Sequence, residues 1–445
     1  MQEVPLHTYM KFRASMLDRV VSGEGQGKRR LWAACGECGV EGPTMRCRDQ
    51  DCLGGQMFCR PCILLRHAAL PLHWVEEWDG GWFVRRGLKE IGLRVQLGHA
   101  PLEAGPGLPG HKRGTMCAFR TSAHKDFVVL HTNGIHNVAV DYCGCGKSEE
   151  TRDQLLDACW WPATPVDPQT CCTFTLLRHF HTLNTLGKVS GYDYYWSMEL
   201  LTDNTGNVKL PDRRRPFMRC AREWRNIQMF KRGGRAHDPT GIEGTENGGL
   251  SLFCHACPQP RINLPEGWKD EPAFKYFLHI GQDTNFCLRG RLVSSDAKDP
   301  TLGQGLAYFV DKIPYTEHIK GYVNQEEISS CSGFAAMFLA NLKRVKGLRT
   351  SGVGGVTCTR HNMWRANGMG DLQKGERYCN MDWVLASSMR NCEILHVIFT
   401  YDIACQYYKS FWDRMRKLPE YLHLNIPPAN IFFYVPNFHL PLISR

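Results

Sequence analysis

Cys35-Gly-Glu-Cys38-Gly-Val-Glu-Gly-Pro-Thr-Met-Arg-Cys47-Arg-Asp-Gln-Asp-Cys52-Leu-Gly-Gly-Gln-Met-Phe-Cys59-Arg-Pro-Cys62-Ile-Leu-Leu-Arg-His67-Ala-Ala-Leu-Pro-Leu-His73 gathers six thiols and two imidazoles in one short segment, the ligand complement of two tetrahedral zinc sites. Cys35/Cys38 and Cys59/Cys62 each leave two residues between thiolates, the spacing at which a tight turn aims both sulfurs at one metal. Joining the first pair with the third and the second with the fourth gives two sites. One is Cys35, Cys38, Cys59 and Cys62; the other is Cys47, Cys52, His67 and His73. Interleaved in this way, each metal closes a loop of about 15 to 20 residues and staples a segment with little core of its own. The alternatives are a disulfide framework or chance clustering.

The surrounding sequence argues against disulfides. The N-terminus, Met1-Gln-Glu-Val-Pro-Leu-His-Thr-Tyr-Met-Lys11, has no apolar core of signal-peptide length, and no stretch reaches the roughly 18 apolar residues of a membrane span. An intracellular chain is expected, in which thiols stay reduced and clustered cysteines are metal ligands more often than bridges. The 21 cysteines are also an odd number. With 445 residues, 43% of them hydrophobic and 22% charged, the chain can bury more than one core and is not of disordered type.

The net charge of +10 fits an acidic partner such as nucleic acid, and equally a merely soluble basic protein. Basic residues gather at Lys28-Arg29-Arg30, at Arg213 to Arg215 with Arg222, Arg225, Lys231, Arg232 and Arg235, and at Lys343, Arg344, Lys346 and Arg349 after the apolar run Phe334 to Leu342. Such patches neutralise phosphates, with Trp224 and Phe230 at hand for stacking.

The chain divides into four stretches. Residues 1–30 read as a helical lead-in with a basic joint. Residues 31–114 hold the zinc module and a linker, Gly98 to Gly110, with too many breakers for regular structure. Within 115–235, Phe127 to His131 and Ile135 to Val140 alternate as a strand pair, and Arg152 to Trp160, Thr173 to Leu186 and Tyr192 to Leu201 have helical spacing. The pair Cys143-Gly-Cys145, with His131 and His136 upstream, is a third candidate metal site or a set of buried structural cysteines. In the last stretch, 236–445, Cys254-His-Ala-Cys257 repeats the two-residue spacing, and Cys358-Thr-Arg-His361 would complete a set of three cysteines and a histidine if the fold brings them together.

Two aspartates carry the candidate chemistry. Lys275 to Gly281 is a β-prone run with Asp283 just past its end, and Ile394 to Tyr401 is a second, followed by Asp402 and then helical spacing from Ile403 to Lys417. Carboxylates at the ends of neighbouring strands can hold divalent ions for phosphodiester chemistry, although acidic residues also commonly follow strands as turn or cap residues. Gly352-Val-Gly-Gly355 and Gly303-Gln-Gly305 lack a phosphate-loop lysine and are expected as turns. Cys171, Cys172, Cys159, Cys220, Cys287, Cys331, Cys379, Cys392 and Cys405 are expected as buried small hydrophobes.

The order Cys254-His-Ala-Cys257-Pro258, Asp283-Thr-Asn-Phe286, Cys358-x-x-His361, Gly375-Glu-Arg-Tyr378, Tyr401-Asp402-Ile-Ala-Cys405 and Phe438-His439 resembles a KDZ (Kyakuja-Dileera-Zisupton) transposase. The front half resembles the cysteine-cluster domain attached to those transposases, through His131 to His136 leading into Cys143-Gly-Cys145, and Trp161-Pro-Ala-Thr164. The resemblance implies an α+β, multidomain protein: an N-terminal zinc-stapled cysteine-cluster module, then a partial RNase H-like α/β transposase core. It implies magnesium-dependent cutting and joining of DNA ends, with Asp283 as the first acid and Asp402 as the second. The 118 residues between them would include an insertion carrying Cys358 and His361. The family's third acid lies well after the Phe-His block, so a chain ending at Arg445 is expected to be catalytically incomplete. A smaller departure is Thr284, where family members often place a small residue.

Three function classes stand after this reading. The first is a transposase-derived, nuclear DNA-binding protein with structural Zn2+, catalytic Mg2+, DNA as partner, no membrane partner, and homo-oligomerisation as an option. The second is a zinc-dependent nuclear module that binds DNA or protein without catalysis. A metalloenzyme with an open zinc position is the third, and no His-Glu-x-x-His or deaminase pattern supports it.

Overall fold

A computed structural model of the chain describes residues 5–27, 33–49, 52, 56–98, 116–145, 150–292, 294–322, 347–373 and 375–437. Lys28 to Arg30, residues 99–110 of the breaker-rich linker, Cys331, the run from Phe334 to Lys346, and Phe438-His439 lie outside the described residues. Two compact units are present, Met1–Arg225 and Asn226–Arg445. No helix among the described residues is long and apolar enough to cross a membrane.

The first unit opens with helix α1 (Pro5–Glu24), none of whose residues is buried. Its C-terminal carbonyls are tied down by Arg46, which donates to Gly23, Glu24 and Gly25 at 2.9 to 3.1 Å and is paired with buried Glu76. Strands β1 (Met45–Cys47), β2 (Val75–Trp78) and β3 (Phe83–Arg86) form a small antiparallel sheet beside helix α2 (Arg60–His67). Met45, Ile63 and Val75, all with no exposed surface, lie in its core of eight buried residues. So few buried apolar residues give little stability on their own.

Beyond it, strands β4 (Arg94–Gln96), β5 (Thr121–Ser122) and β8 (Ala139–Tyr142) make a three-stranded sheet in the order β4-β8-β5. Strands β6 (Val128–His131), β7 (Gly134–Asn137), β9 (Trp160–Pro162) and β10 (Thr170–Thr173) make a four-stranded one, ordered β7-β6-β10-β9. Alternation along these strands separates two cores. Val128, Leu130 and Cys172 pack toward helices α4 (Phe174–Leu186), α5 (Gly191–Thr202) and α6 (Arg214–Arg232), whereas Val129 and Cys171 pack toward Val140 and toward Leu155 of helix α3 (Thr151–Asp157). Helices α4 and α5 start where Thr173 and Ser190 accept bonds from the backbone N–H groups of Leu176 and Asp193. The faces of α6 segregate: Phe217, Cys220, Ala221 and Trp224 are buried, and Arg214, Arg215, Arg219 and Arg222 are exposed. Trp224 packs between Trp161 and Phe174, and Phe230 is also buried, so neither is available for base stacking, contrary to expectation.

The second unit is built on five strands, β11 (Leu278–Asn285), β14 (Gly352–Cys358), β15 (Met363–Leu372), β16 (Val397–Tyr401) and β17 (Ile431–Tyr434), with a separate two-stranded ladder, β12 (Gly290–Arg291) and β13 (Leu348–Thr350). The sheet order is β15-β14-β11-β16-β17. Its first three strands pair antiparallel; β11, β16 and β17 run parallel. Helices α7 (Lys312–Lys320) and α8 (Tyr378–Ser388) pack with the sheet, α8 contributing Met381, Val384 and Leu385 to the core.

Several expectations are corrected here. Asp283 lies inside β11 rather than beyond a strand end. Gly352 to Gly355 are in a strand rather than a turn, and neighbouring elements leave no room there for side chains: a Cβ on Gly354 would meet Met381 Sδ of α8 at 2.6 Å, and one on Gly355 would meet Trp364 of β15 at 2.2 Å. Cys358 ends β14 and His361 sits in the β14–β15 turn, so the pair belongs to the sheet and not to an insertion. Ile403 to Lys417 is broken into short helical pieces, and Cys159 and Cys287 are exposed.

Candidate metal centres and acidic site

All cysteines among the described residues are free thiols. Four Cys/His groups have their ligand atoms within 4.8 Å of one another. In the first, Cys35, Cys38, Cys59 and Cys62, the sulfurs of Cys38 and Cys59 are 3.6 Å apart. A tetrahedral zinc with bonds of about 2.3 Å spaces its sulfurs by about 3.8 Å, so the cage has zinc dimensions. Cys35 and Cys38 sit in a turn closed by Cys35 N–H donating to Val40 at 2.7 Å, and Cys59 and Cys62 sit at the start of α2. The second group is Cys47, Cys52, His67 and His73, with sulfur-to-nitrogen distances of 3.3 to 3.6 Å. His67 Nδ1 lies 2.8 Å from the Ile63 carbonyl, which as a donor bond would fix the tautomer leaving Nε2 for a metal. Helix α2 feeds both cages, which is the structural basis of the interleaving.

The third group differs from its sequence reading. Cys143 and Cys145 are joined by Cys117, whose sulfur is 3.3 Å from that of Cys145. His131 instead meets Thr173, and His136 meets Asn133 Oδ1 at 2.7 Å while stacking on Trp74. Burial drives the His136 pKa down to about 3, as befits a neutral packing residue. Cys117 has no neighbouring cysteine at ligand spacing, so sequence offered no signal for it. In the fourth group, Cys254, Cys257, Cys358 and His361 meet across 100 residues of chain, His361 Nδ1 lying 3.4 Å from both Cys254 and Cys358.

Thiols crowded in this way oppose each other's ionisation. Burial and neighbouring sulfurs raise Cys257, and Cys145 is pushed up to about 12 by Cys117 and Cys143. In the first group burial would raise Cys35, but backbone N–H groups of Cys38, Cys59 and Glu37 outweigh it and bring the thiol down to about 6. A divalent cation is the charge that lets all members of a cage ionise together.

The acidic site lies on the parallel part of the second unit's five-stranded sheet. β11 and β16 are parallel neighbours about 4.8 Å apart with Gln282 opposite Tyr401, so Asp283 follows one step later on β11 and Asp402 one step later in the turn that ends β16. Asp283 Oδ1 accepts from the N–H of Thr284 and Asp402 Oδ1 from that of Ile403, which fixes one oxygen of each carboxylate at the backbone. Between β15 and α8, Glu376 reaches the same strand ends: Thr284 Oγ1 donates to its Oε2 at 3.0 Å and the Tyr401 hydroxyl to its Oε1. Burial, then the negative charge of Asp402 and with it that of Asp283, pushes Glu376 up to about 7 despite those hydrogen bonds. In the sequence, Gly375-Glu-Arg-Tyr378 carries the glutamate but no signal of where it sits.

Residues 88–206 match the family model described as CxC2 like cysteine cluster associated with KDZ transposases, and residues 276–442 match that of the Kyakuja-Dileera-Zisupton transposase. Neither a curated protein nor a solved structure matches the chain.

Proposed function

Because this chain belongs to the KDZ transposase family, we propose that its second unit is an RNase H-like nuclease core that cuts and joins DNA, with Asp283 and Asp402 as ligands of a catalytic Mg2+. The observation that carries this reading is the placement of Asp283 on β11 next to Asp402, the first residue after the neighbouring parallel strand β16, inside the segment that matches the transposase domain. The sheet order β15-β14-β11-β16-β17, antiparallel on one side of β11 and parallel on the other, supports the RNase H-like assignment.

The donor set suits the ion: carboxylate oxygens are hard ligands that Mg2+ prefers over sulfur or nitrogen. When bound, Mg2+ supplies charge neutralisation for phosphodiester displacement. The chain's own part is to hold the two carboxylates in register through the β11–β16 ladder, and to keep one oxygen of each oriented by a backbone N–H. The Cys/His groups could hold zinc, and we assign to them a structural role in the N-terminal module and at the edge of the nuclease core. DNA in the nucleus is the partner this family membership favours, and the exposed arginines of α6 are suited to phosphates.

The test is nicking of supercoiled DNA by the full zinc-loaded chain with Mg2+ or Mn2+. Asp283→Asn and Asp402→Asn should each lower the rate by at least about a hundredfold at unchanged zinc content, the scale of loss when a catalytic charge is removed. Equal nicking by wild type and both variants would refute the assignment.

A further inference from the structure

We propose that helix α1 is a self-association element, which pairs antiparallel with α1 of a second copy of this chain. The inference is independent of the nuclease reading, since α1 lies outside the residues that match either family model. Over its 20 residues the helix buries none. Arg46 fastens its C-terminal carbonyls to the three-stranded sheet, so the helix is held at one end while its apolar side chains face solvent.

Those side chains form a seam. Leu6, Met10, Arg13, Leu17, Val20 and Glu24 follow one another at alternating steps of four and three, the spacing of a coiled-coil contact line. Its four apolar members are 55 to 76% exposed, and Tyr9, Met16 and Val21, which widen the stripe, are 50 to 56% exposed. His7, Lys11, Asp18 and Ser22 fall on the opposite side of the helix. A helix in water draws most of its stability from packing such a face. The stripe exposes on the order of 800 Å², one partner's share of a standard protein interface.

The two charges within the seam identify the occupant and its direction. In a parallel, in-register pair Arg13 would face Arg13 and Glu24 would face Glu24. Turning one helix round brings Arg13 of each copy to Glu24 of the other, and a single two-fold axis makes both pairs at once. In that register Leu17 meets Val20 of the second copy and Met16 meets its Val21, so an apolar layer is closed at each end by an Arg–Glu pair. Leu6 and Met10 then extend past Glu24 of the second copy, toward the sheet to which Arg46 fastens that end. Opposite charges inside the stripe suit self-pairing better than a lipid surface, for which cations belong on the polar face.

The experiment is sedimentation velocity of the full, zinc-loaded chain across a micromolar concentration series. Wild type should sediment as a concentration-dependent dimer. Leu17→Lys with Val20→Lys should weaken that dimer by about tenfold or more, at unchanged zinc content because both positions are exposed in the single chain. Arg13→Glu and Glu24→Arg should each raise the dissociation constant, and the chain carrying both should return close to the wild-type value, a recovery that damage to the helix or its module would not produce. A wild-type chain that stays monomeric overturns the proposal, and its cosedimentation with vesicles of anionic phospholipid would give the stripe to a lipid surface instead. A dimer indifferent to Leu17→Lys with Val20→Lys is made by another surface and overturns it too. If the dimer needs the apolar stripe but the exchanged charges do not restore it, the antiparallel pairing is wrong.

Discussion

His136 shows how much a single side chain can be misread from spacing alone. Placed upstream of Cys143-Gly-Cys145 it resembled a ligand, yet it is buried on Trp74 at a ring separation of 4.4 Å and bonded to Asn133. Strand alternation was visible in the sequence; which face of the strand was shared with Cys117 was not, because Cys117 is distant in sequence and has no partner at ligand spacing. The same burial gives a pH dependence. The folded pKa near 3 lies below the ordinary 6.5, so above pH 6.5 both folded and unfolded chains hold neutral His136 and its contribution is complete. As pH falls from 6.5 toward 3 the unfolded state takes a proton that the folded state refuses, and stability is lost, on the order of a few kcal/mol. In urea unfolding between pH 7 and 5, His136→Gln should show a flatter loss than wild type. The zinc-ligand titrations common to both proteins cancel in that comparison, and identical slopes would count against the assignment.

At the scale of elements, helix α8 decides more than its amino-acid sequence announced. Its helical character was not read in advance, and the glycines that receive it, Gly354 and Gly370, looked like turn residues or went unremarked. Glycine in a strand interior is ambiguous until the packing partner is known: Val384 would lie 2.6 Å from a Cβ on Gly370. The helix is then fastened at Asp382, 2% exposed, to Arg414, whose guanidinium also lies 4.5 Å from the Tyr378 ring centroid and 4.6 Å from that of Tyr407. Arg414→Ala removes the cation and leaves the buried acid alone, and should cost about 3 to 5 kcal/mol in chemical denaturation. A loss under about 1 kcal/mol would mean that the pair does not hold α8 in place. The paired ligands of the first two cages, by contrast, were legible, since two-residue thiolate spacing encodes a local turn that tertiary packing does not rearrange.

Across the whole molecule the legible features were those that recur at fixed spacing, and the illegible ones depend on contacts between distant segments. Cys254 and Cys257 could be paired with Cys358 and His361 only as a conditional, because sequence does not show that β14 returns to the loop holding the first pair. The place of Glu376 is illegible in the sequence for the same reason: only the fold brings it to Thr284 and Tyr401. If the complete Cys/His sets are zinc cages, elemental analysis of chain expressed without chelator should give at least three zinc per molecule, one for each four-ligand set. Stripping the metal should unfold the N-terminal module, whose own core is small. A content near one, or an unchanged melting profile after chelation, would contradict this.

The most direct measurement of the account as a whole is anomalous diffraction at the manganese edge from crystals of the zinc-loaded chain soaked in Mn2+. The account expects a manganese peak between the carboxylates of Asp283 and Asp402, absent from Asp402→Asn crystals, with zinc peaks confined to the Cys/His groups. Manganese density only elsewhere, or a peak that survives the substitution, would contradict it.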